Sequence, residues 1–168
     1  RSYYDNQSLG TVTLGNLTTE ERSKSDSAYI TTQNSYNSYG LVTQSIDPRG
    51  KQTTYAYDAY DLYPATVTNA LGHVTRYQYD YASGKKTQVI DPNGNTFRTV
   101  YDGLGRPLST LQMDPASPSA FVPSTVYEYT DMANAVRVRE SRYLGASTTV
   151  DTYRSYDGLG RLVQTRRS

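Results

Sequence analysis

The chain has 168 residues, of which 17 are basic and 16 acidic, and its net charge of +1 predicts no basic stripe for nucleic acid. It has no Cys and a single His, which excludes a disulfide framework, a thiolate or multi-histidine metal site and a cysteine nucleophile. No run of 18 apolar residues and no export leader occurs, so we expect no membrane span in this segment.

Large aliphatic side chains are scarce in this sequence. Leu, Ile, Val and Phe together supply 29 residues, less than the roughly 20% typical of a chain with an ordinary core. The 18 tyrosines supply much of the remaining large surface, and each carries a hydroxyl that needs a hydrogen-bond partner or water. We therefore expect a thin, partly hydrated fold lined by tyrosine. Because the first residue is Arg rather than Met, we also expect an internal part of a longer polypeptide.

Residues 1–35 form the first predicted region, which combines divergent strands with a polar loop. Residues 9–19 have the composition of a strand that is interrupted by two glycines. The polar run over residues 20–26 is more typical of a solvated loop. Its alternative is one helical turn, capped by Thr18 together with Glu21.

Residues 36–113 carry a regular repeat. A turn-opening Asp or Asn recurs at steps of 10 or 11 residues, in the series Asn37, Asp47, Asp58, Asn69, Asp80, Asp91 and Asp102. Such a residue bonds back to its own backbone, Pro fixes the next φ, and Gly accepts positive φ at the fourth position. About seven residues rich in Thr, Tyr and Val separate the turns, which is the length of a strand. Each 22-residue period is therefore one hairpin.

The repeat predicts an all-β fold, an antiparallel meander of hairpins in sequence order. Turns are expected at residues 48–49, 70–71, 92–93 and 103–104. Side chains two residues apart share a face of a strand, so Tyr55 lies with Tyr57, and Tyr77 with Tyr79. One face of the meander is thus expected to be aromatic and the other smaller and more polar.

The C-terminal part of the chain is expected to be less regular. Residues 114–124 contain three of the seven prolines and predict a loop, whereas residues 125–168 return to strand patterns. Across the whole chain, the residues predicted to build turns are Asp47, Gly50, Asn69, Gly72, Asp91, Gly94, Asp102, Gly105, Asp157 and Gly160.

Several short motifs accompany these turns. They are Tyr-Asp-x-x-Gly-Arg from Tyr101 and Tyr156, Tyr-x-Tyr-Asp from Tyr55 and Tyr77, and Asp-Pro-x-Gly from Asp47 and Asp91. With these motifs at a constant period, the sequence resembles the YD-repeat, or Rhs, family. This family includes bacterial polymorphic toxins, the B and C components of insecticidal toxin complexes, and the teneurins of animals. Two turns depart from the family pattern, because Asp58 lacks the expected Gly and one residue is inserted after Asp80.

The resemblance implies a role in a shell. In this family the repeats coil as a strip of hairpins into a hollow cocoon that encloses a C-terminal toxin. The chain is then expected to be a non-catalytic segment of the wall, without cofactor or metal. Its implied partners are the rest of its own polypeptide shell and the enclosed toxin domain, and its implied location is secreted or at the cell surface. The self-cleavage of some members is not expected, because the Asp-Pro-x-Gly motifs here lack a following Leu.

The residues themselves do not favour an enzyme. Most aspartates open turns, and His73 stands at a turn edge without a nucleophile motif, so neither a carboxylate pair nor a catalytic base is indicated. The basic clusters also have acidic or neutral neighbours, which argues against nucleic acid; they comprise Arg137, Arg139, Arg142, Arg166 and Arg167.

The alternative function is recognition, in which exposed tyrosines stack on the sugar rings of an extracellular carbohydrate, as in an adhesion module. The candidate platform consists of Tyr55, Tyr57, Tyr77 and Tyr79. Packed tyrosines indicate a wall, whereas a solvent-facing row indicates a ligand. We further expect the excised meander to self-associate through edge strands or its aromatic face, unless segments 20–26 and 114–123 fold over these surfaces.

Overall fold

The computed structural model describes residues 1–25, 28–145 and 148–168. In these ranges it contains fourteen β-strands and no helix, and every strand pairing that it describes is antiparallel and joins strands consecutive in sequence. The predicted all-β antiparallel meander is therefore confirmed. None of the described residues belongs to a helix that could cross a membrane. The chain divides into two compact units, Arg1–Tyr77 and Gln78–Ser168.

The first unit consists of short strands joined by tight turns. They are β1 (Ser2–Tyr4), β2 (Leu17–Ser25), β3 (Ala28–Tyr36), β4 (Val42–Ile46), β5 (Gln52–Tyr57) and β6 (Pro64–Thr68), followed by β7 (Val74–Asp80), which continues into the second unit. Thr54 of β5 lies opposite Gln44 of β4 on one side and Thr68 of β6 on the other. Threonine and tyrosine dominate these strands because such side chains fit a pleated, half-buried surface.

The second unit has longer strands towards its C-terminus. After the end of β7 they are β8 (Lys85–Ile90), β9 (Thr96–Tyr101), β10 (Pro107–Asp114), β11 (Ser117–Met132), β12 (Ala135–Tyr143), β13 (Thr149–Asp157) and β14 (Leu162–Arg167). Arg139 of β12 lies opposite Glu128 of β11 and Tyr153 of β13. This register brings opposite charges together across neighbouring strands.

The prediction for residues 9–26 is correct only for residues 17–19, which are strand as expected. Residues 9–16 form turns and bends, whereas Leu17–Ser25 is strand β2, so the polar run is neither a loop nor a helical turn as far as the structure describes it. Asp26 lies outside the described residues. The run is a strand because β3 pairs with it over most of its length, with Glu20 opposite Thr32, and this pairing satisfies its backbone.

The predicted loop over residues 114–124 is also wrong. Strand β10 extends to Asp114 and β11 begins at Ser117, so the segment forms the end of a hairpin. Its prolines are tolerated because they occupy positions where the ladder is irregular: Leu111 lies opposite Pro123 directly beside a register shift. The short connection is held by Asp114, whose Oδ1 accepts the Ala116 N–H at 2.9 Å.

The units contain no dry core among the described residues. No hydrophobic side chain is buried there, and the buried residues are Thr18 and Ser141, both polar. Most strand tyrosines are half-buried instead. This distribution agrees with the thin, hydrated, tyrosine-lined fold indicated by the composition.

Candidate functional site

The most regular feature of the structure is the turn opened by Asp or Asn. At Asp47, Oδ1 accepts the backbone N–H groups of Arg49 and Lys51, both at 2.8 Å. The Asp47 carbonyl accepts the Gly50 N–H at 2.9 Å, and the Asp47 N–H donates to the Lys51 carbonyl at 2.9 Å. The same four hydrogen bonds recur at Asn37, Asn69, Asp91, Asp102 and Asp157.

Glycine at the fourth position makes this turn possible. The φ angles lie between 74° and 86°, the left-handed region that a side chain disfavours, at Gly40, Gly50, Gly72, Gly94, Gly105 and Gly160. A type I turn followed by a left-handed residue closes a three-residue hairpin loop with a bulge. Accordingly, the ladder shifts register beside several of these turns, for example between Ser35 and Tyr36.

The two turns that depart from the sequence pattern also differ in structure. The Asp58 N–H donates to the carbonyl of Tyr63, five residues further along the chain, whereas the regular turns use the carbonyl four residues further along. Asp61 takes the left-handed conformation, with φ 51°. At Asp80, the carbonyl accepts the Gly84 N–H, one residue later than elsewhere. The Ser83 hydroxyl donates to the Asp80 carboxylate and lowers its pKa below the usual range.

Asp5 opens an enlarged version of the turn. Its N–H donates to the Asn16 carbonyl at 2.8 Å, and its carboxylate accepts N–H groups from four consecutive residues, beginning at Thr13. Partial burial opposes ionisation, but these four donors outweigh it and lower the pKa of Asp5. The carboxylate of Asp5 therefore organises a longer connection in the way that the other opening carboxylates organise the short turns.

An arginine after the turn glycine holds the opening carboxylate. Arg106 Nε donates to Asp102 Oδ2 at 2.7 Å, and Arg161 Nε donates to Asp157 Oδ2 at 2.8 Å. The Arg106 guanidinium also stacks over the Tyr129 ring, 4.2 Å from its centroid. In both turns the backbone N–H of the arginine is the first cause that lowers the pKa of the aspartate. This geometry explains why Arg closes the Tyr-Asp-x-x-Gly-Arg motif.

The tyrosine before the turn fastens neighbouring strands together. Tyr57 donates its hydroxyl hydrogen to the carbonyl of Val42, the first residue of the preceding strand, at 3.0 Å. Tyr36 donates in the same way to the Leu17 carbonyl at 2.7 Å. Tyr129 makes the same kind of bond to the Pro107 carbonyl at 2.9 Å, although it lies within β11 and does not directly precede a turn. Tyr101 reaches the carbonyl of the second residue of its preceding strand, that of Lys86, at 2.9 Å. In a Tyr-Asp pair, the tyrosine thus bonds to the preceding strand and the aspartate to the backbone of the following turn.

The four tyrosines considered for sugar binding do not form an exposed row. Tyr55, Tyr57, Tyr77 and Tyr79 are each half-buried. Tyr55 lies opposite Val67, and partial burial is the main cause that raises the pKa of Tyr57. They lie on β5 and β7 as half-buried side chains rather than as fully exposed ones.

A charged network in the second unit was not found by sequence reasoning. Arg139 donates to Asp151 Oδ2 at 2.7 Å and to Glu128 at 3.1 Å, and Arg154 donates to Glu140 at 2.6 Å. The Arg154 hydrogen bond is the first cause that lowers the pKa of Glu140. Charged residues at alternate positions of β12 could have predicted the network, because alternate side chains of a strand lie on the same face.

His73 and the aspartates are the residues considered for catalysis in the sequence. His73 is exposed at a turn edge, where its N–H donates to Asn69 Oδ1 at 3.0 Å. A cavity of about 490 Å³ in the second unit has one carboxylate in its lining, that of Asp114. Over the described ranges, no cluster of His, Asp or Glu could hold a metal ion.

Comparison with known proteins agrees with this geometry. A family model described as RHS Repeat matches residues 36–63 and 64–96. The fold is similar to the crystal structure of TcdB2-TccC3, with a TM-score of 0.65 and 15% sequence identity over 83% of this chain and 9% of that one. It is also similar to a Photorhabdus luminescens Tc holotoxin pore, with a TM-score of 0.59 and 18% sequence identity over 82% of this chain and 7% of that one. A TcdB2-TccC3-TEV structure matches with TM-score 0.64 at 12% identity over 89% of this chain and 12% of that one. No curated protein matches the sequence.

The fold and its repeated turns define a β-hairpin repeat protein. The matched part of the chain, residues 36–63 and 64–96, consists of Rhs, or YD, repeats. The chain spans about a tenth of the length of the solved chains that it matches.

Proposed function

We propose that this chain is a non-catalytic segment of the wall of an Rhs-type shell, which encloses and helps to deliver a toxin domain. The observation that carries the proposal is the combination of a regular hydrogen-bonded framework with the absence of any buried hydrophobic side chain among the described residues. Such a sheet has a regular backbone but, among the described residues, no hydrophobic core of its own. Repeats that cannot bury an apolar face alone are stabilised by neighbours on either side.

The turns offer surfaces for such neighbours. The third position of several turns carries a large apolar or aromatic side chain that is 70% to 79% exposed, at Tyr39, Tyr60, Leu71, Leu104 and Leu159. In a wall of many hairpins these side chains would contact the adjoining part of the same polypeptide. Burial of one such leucine or tyrosine contributes about 1.5 to 3 kcal/mol.

The shell function agrees with a protein that shares the fold, the Photorhabdus luminescens Tc holotoxin pore. It implies a location outside the producing cell or at its surface. The half-buried tyrosines favour this function over carbohydrate recognition, since sugar stacking needs a ring face open to solvent.

The proposal is tested by limited proteolysis of the full polypeptide that contains this segment. We expect its C-terminal domain to resist protease while the wall is intact. Replacing three left-handed glycines together, Gly94→Ala, Gly105→Ala and Gly160→Ala, should open the wall and expose that domain.

The matched control replaces two glycines without positive φ and with open space at the added Cβ, Gly103→Ala with Gly145→Ala. It should leave the protection unchanged. Equal cleavage of the C-terminal domain in the wild type and in the triple variant would contradict the enclosing role.

A further inference from the structure

A groove in the second unit is lined by side chains from β12, β13 and β14. It has a volume of about 270 Å³, and its polar lining comprises three arginines, two threonines and one glutamate: Arg142, Arg154, Arg167, Thr152, Thr165 and Glu140. The strand register creates it, because Thr152 lies between Glu140 and Arg167, and Thr165 lies opposite Arg154. Three strands therefore contribute basic side chains to one depression.

The charges in this groove are not balanced. Arg154 donates one hydrogen bond to Glu140 Oε2 at 2.6 Å, and Arg142 donates one to Oε1 at 3.3 Å. The side chain of Arg167 forms no hydrogen bond or ion pair with any residue that the structure describes. Since a guanidinium group carries five N–H donors, most donors in the groove have no protein acceptor. One carboxylate faces three guanidinium groups, which leaves a local excess of positive charge.

The fold separates basic residues that are adjacent in the sequence. Arg142 and Arg167 line the groove, whereas Arg166 lies opposite Tyr153, on the other face with Arg139 and its acidic partners. The acidic residues beside the basic clusters, which argued against nucleic-acid binding in the sequence, therefore pair with arginines outside the groove. Glu140 is the acidic residue that remains in the groove.

The groove also interrupts the regular pattern of its face. Consecutive pairings place Thr99, Thr110, Thr125 and Arg142 in one row across four strands. Small hydroxyl side chains fill this row until β12, where an arginine replaces them. A repeating wall does not require this change, since hairpins with uncharged residues at the matched positions form the same ladder. A local exception within a regular repeat is characteristic of a binding site.

We propose that this groove binds a tetrahedral oxyanion, phosphate or sulfate. The guanidinium fork matches two oxygens of such an ion, and the hydroxyls of Thr152 and Thr165 can donate to the others. Glu140 orients two of the three arginines through its hydrogen bonds. These two side chains therefore lose less conformational entropy when the ligand binds. The inference does not depend on the proposed shell function.

The test is a titration of the 168-residue chain, labelled with ¹⁵N, with sodium phosphate, sodium sulfate and a sulfated monosaccharide at constant ionic strength. We expect saturable shifts of the arginine Nε–H signals and of the β12 to β14 amides. Tighter binding of the sulfated sugar than of inorganic sulfate would assign the anion to an ester, and equal binding would assign it to the free ion.

Two variants with the same change of charge make the test specific. Arg167→Gln should weaken binding about two- to fivefold, the effect of one exposed ion pair, and Arg142→Gln combined with it should weaken binding further. Arg166→Gln, on the opposite face, should leave the affinity unchanged. Shifts that do not saturate for either ion, or equal losses in R167Q and R166Q, would overturn the proposal.

Discussion

The hydroxyl of Tyr57 donates a hydrogen bond to the carbonyl of Val42, which joins the last residue of one strand to the first residue of the strand before it. Asp58, the next residue, organises the following turn through its carboxylate. Of these two adjacent side chains, the first therefore bonds to the preceding strand and the second to the following turn. This coupling gives a physical reason for the recurrence of Tyr-Asp at hairpin spacing.

Removal of the Tyr57 hydroxyl should destabilise the first unit. Tyr57→Phe leaves the Val42 carbonyl without its donor, so we expect the free energy of unfolding to fall by about 1 to 2 kcal/mol. Urea denaturation followed by tyrosine fluorescence measures the change. Tyr55→Phe is the matched control, because the structure describes no hydrogen bond from the Tyr55 hydroxyl and we expect less than about 0.5 kcal/mol there. Equal losses in both variants would show that the hydroxyl bond contributes nothing specific.

Substitution of Asp61 by glycine should stabilise the chain. Asp61 adopts φ 51°, where the other turns place glycine, and an ordinary side chain costs about 1 to 2 kcal/mol in this region. We expect Asp61→Gly to raise the denaturation midpoint and Asp61→Ala to lower it, since alanine also lacks the short polar side chain that tolerates this conformation. A lower midpoint for D61G would contradict the backbone explanation of this turn.

The turn carboxylates should make the fold sensitive to acid. Hydrogen bonds lower the pKa values of Asp80, Asp91, Asp102 and Asp157 below those of the unfolded chain. Their stabilisation is therefore complete above the unfolded pKa of about 3.9 and is lost as the pH falls through the lower folded values. We expect a flat urea midpoint from neutral pH to near that value and a decline below it.

A non-titrating control is available for this pH dependence. Asp91→Asn keeps the Oδ1 acceptor, as natural Asn37 and Asn69 do at equivalent turns, but cannot be protonated in this range. The variant should therefore lose less stability in acid than the wild type. A midpoint that is constant or rises as the pH falls to about 2.5 would contradict the assigned role of the carboxylates.

The isolated chain should self-associate. The two segments considered as covers are largely strands, so they do not protect the edges or faces of the sheet. Strand β14 pairs with β13, and all six of its residues are exposed. An exposed edge carries unpaired N–H and C=O groups that favour pairing with another copy. We expect the weight-average mass in sedimentation equilibrium to rise with concentration, and a constant monomer mass would contradict this expectation.

The period of the repeat made the hairpins and their turns predictable. Asp, Asn and Gly have strong local preferences, so turns from Asn37 to Asp102 follow from short-range chemistry alone. The strand at residues 17–25 was not predictable in this way, because its polar residues are held by pairing with β3 rather than by their own propensity. The arginine groove depends on the register of three strands, which brings together residues up to 27 positions apart and has no local signature.

The central claim, that this chain is a piece of a shell wall, is tested most directly by electron cryomicroscopy of the full polypeptide that contains it. We predict that residues 1–168 form consecutive hairpins in a wall around an enclosed C-terminal domain, with the Tyr57 to Val42 and Tyr129 to Pro107 hydrogen bonds retained. The exposed turn side chains, such as Leu104 and Leu159, should contact adjacent parts of the wall. A map in which this segment stands as a separate module, with both faces open to solvent and no enclosed domain, would contradict the account.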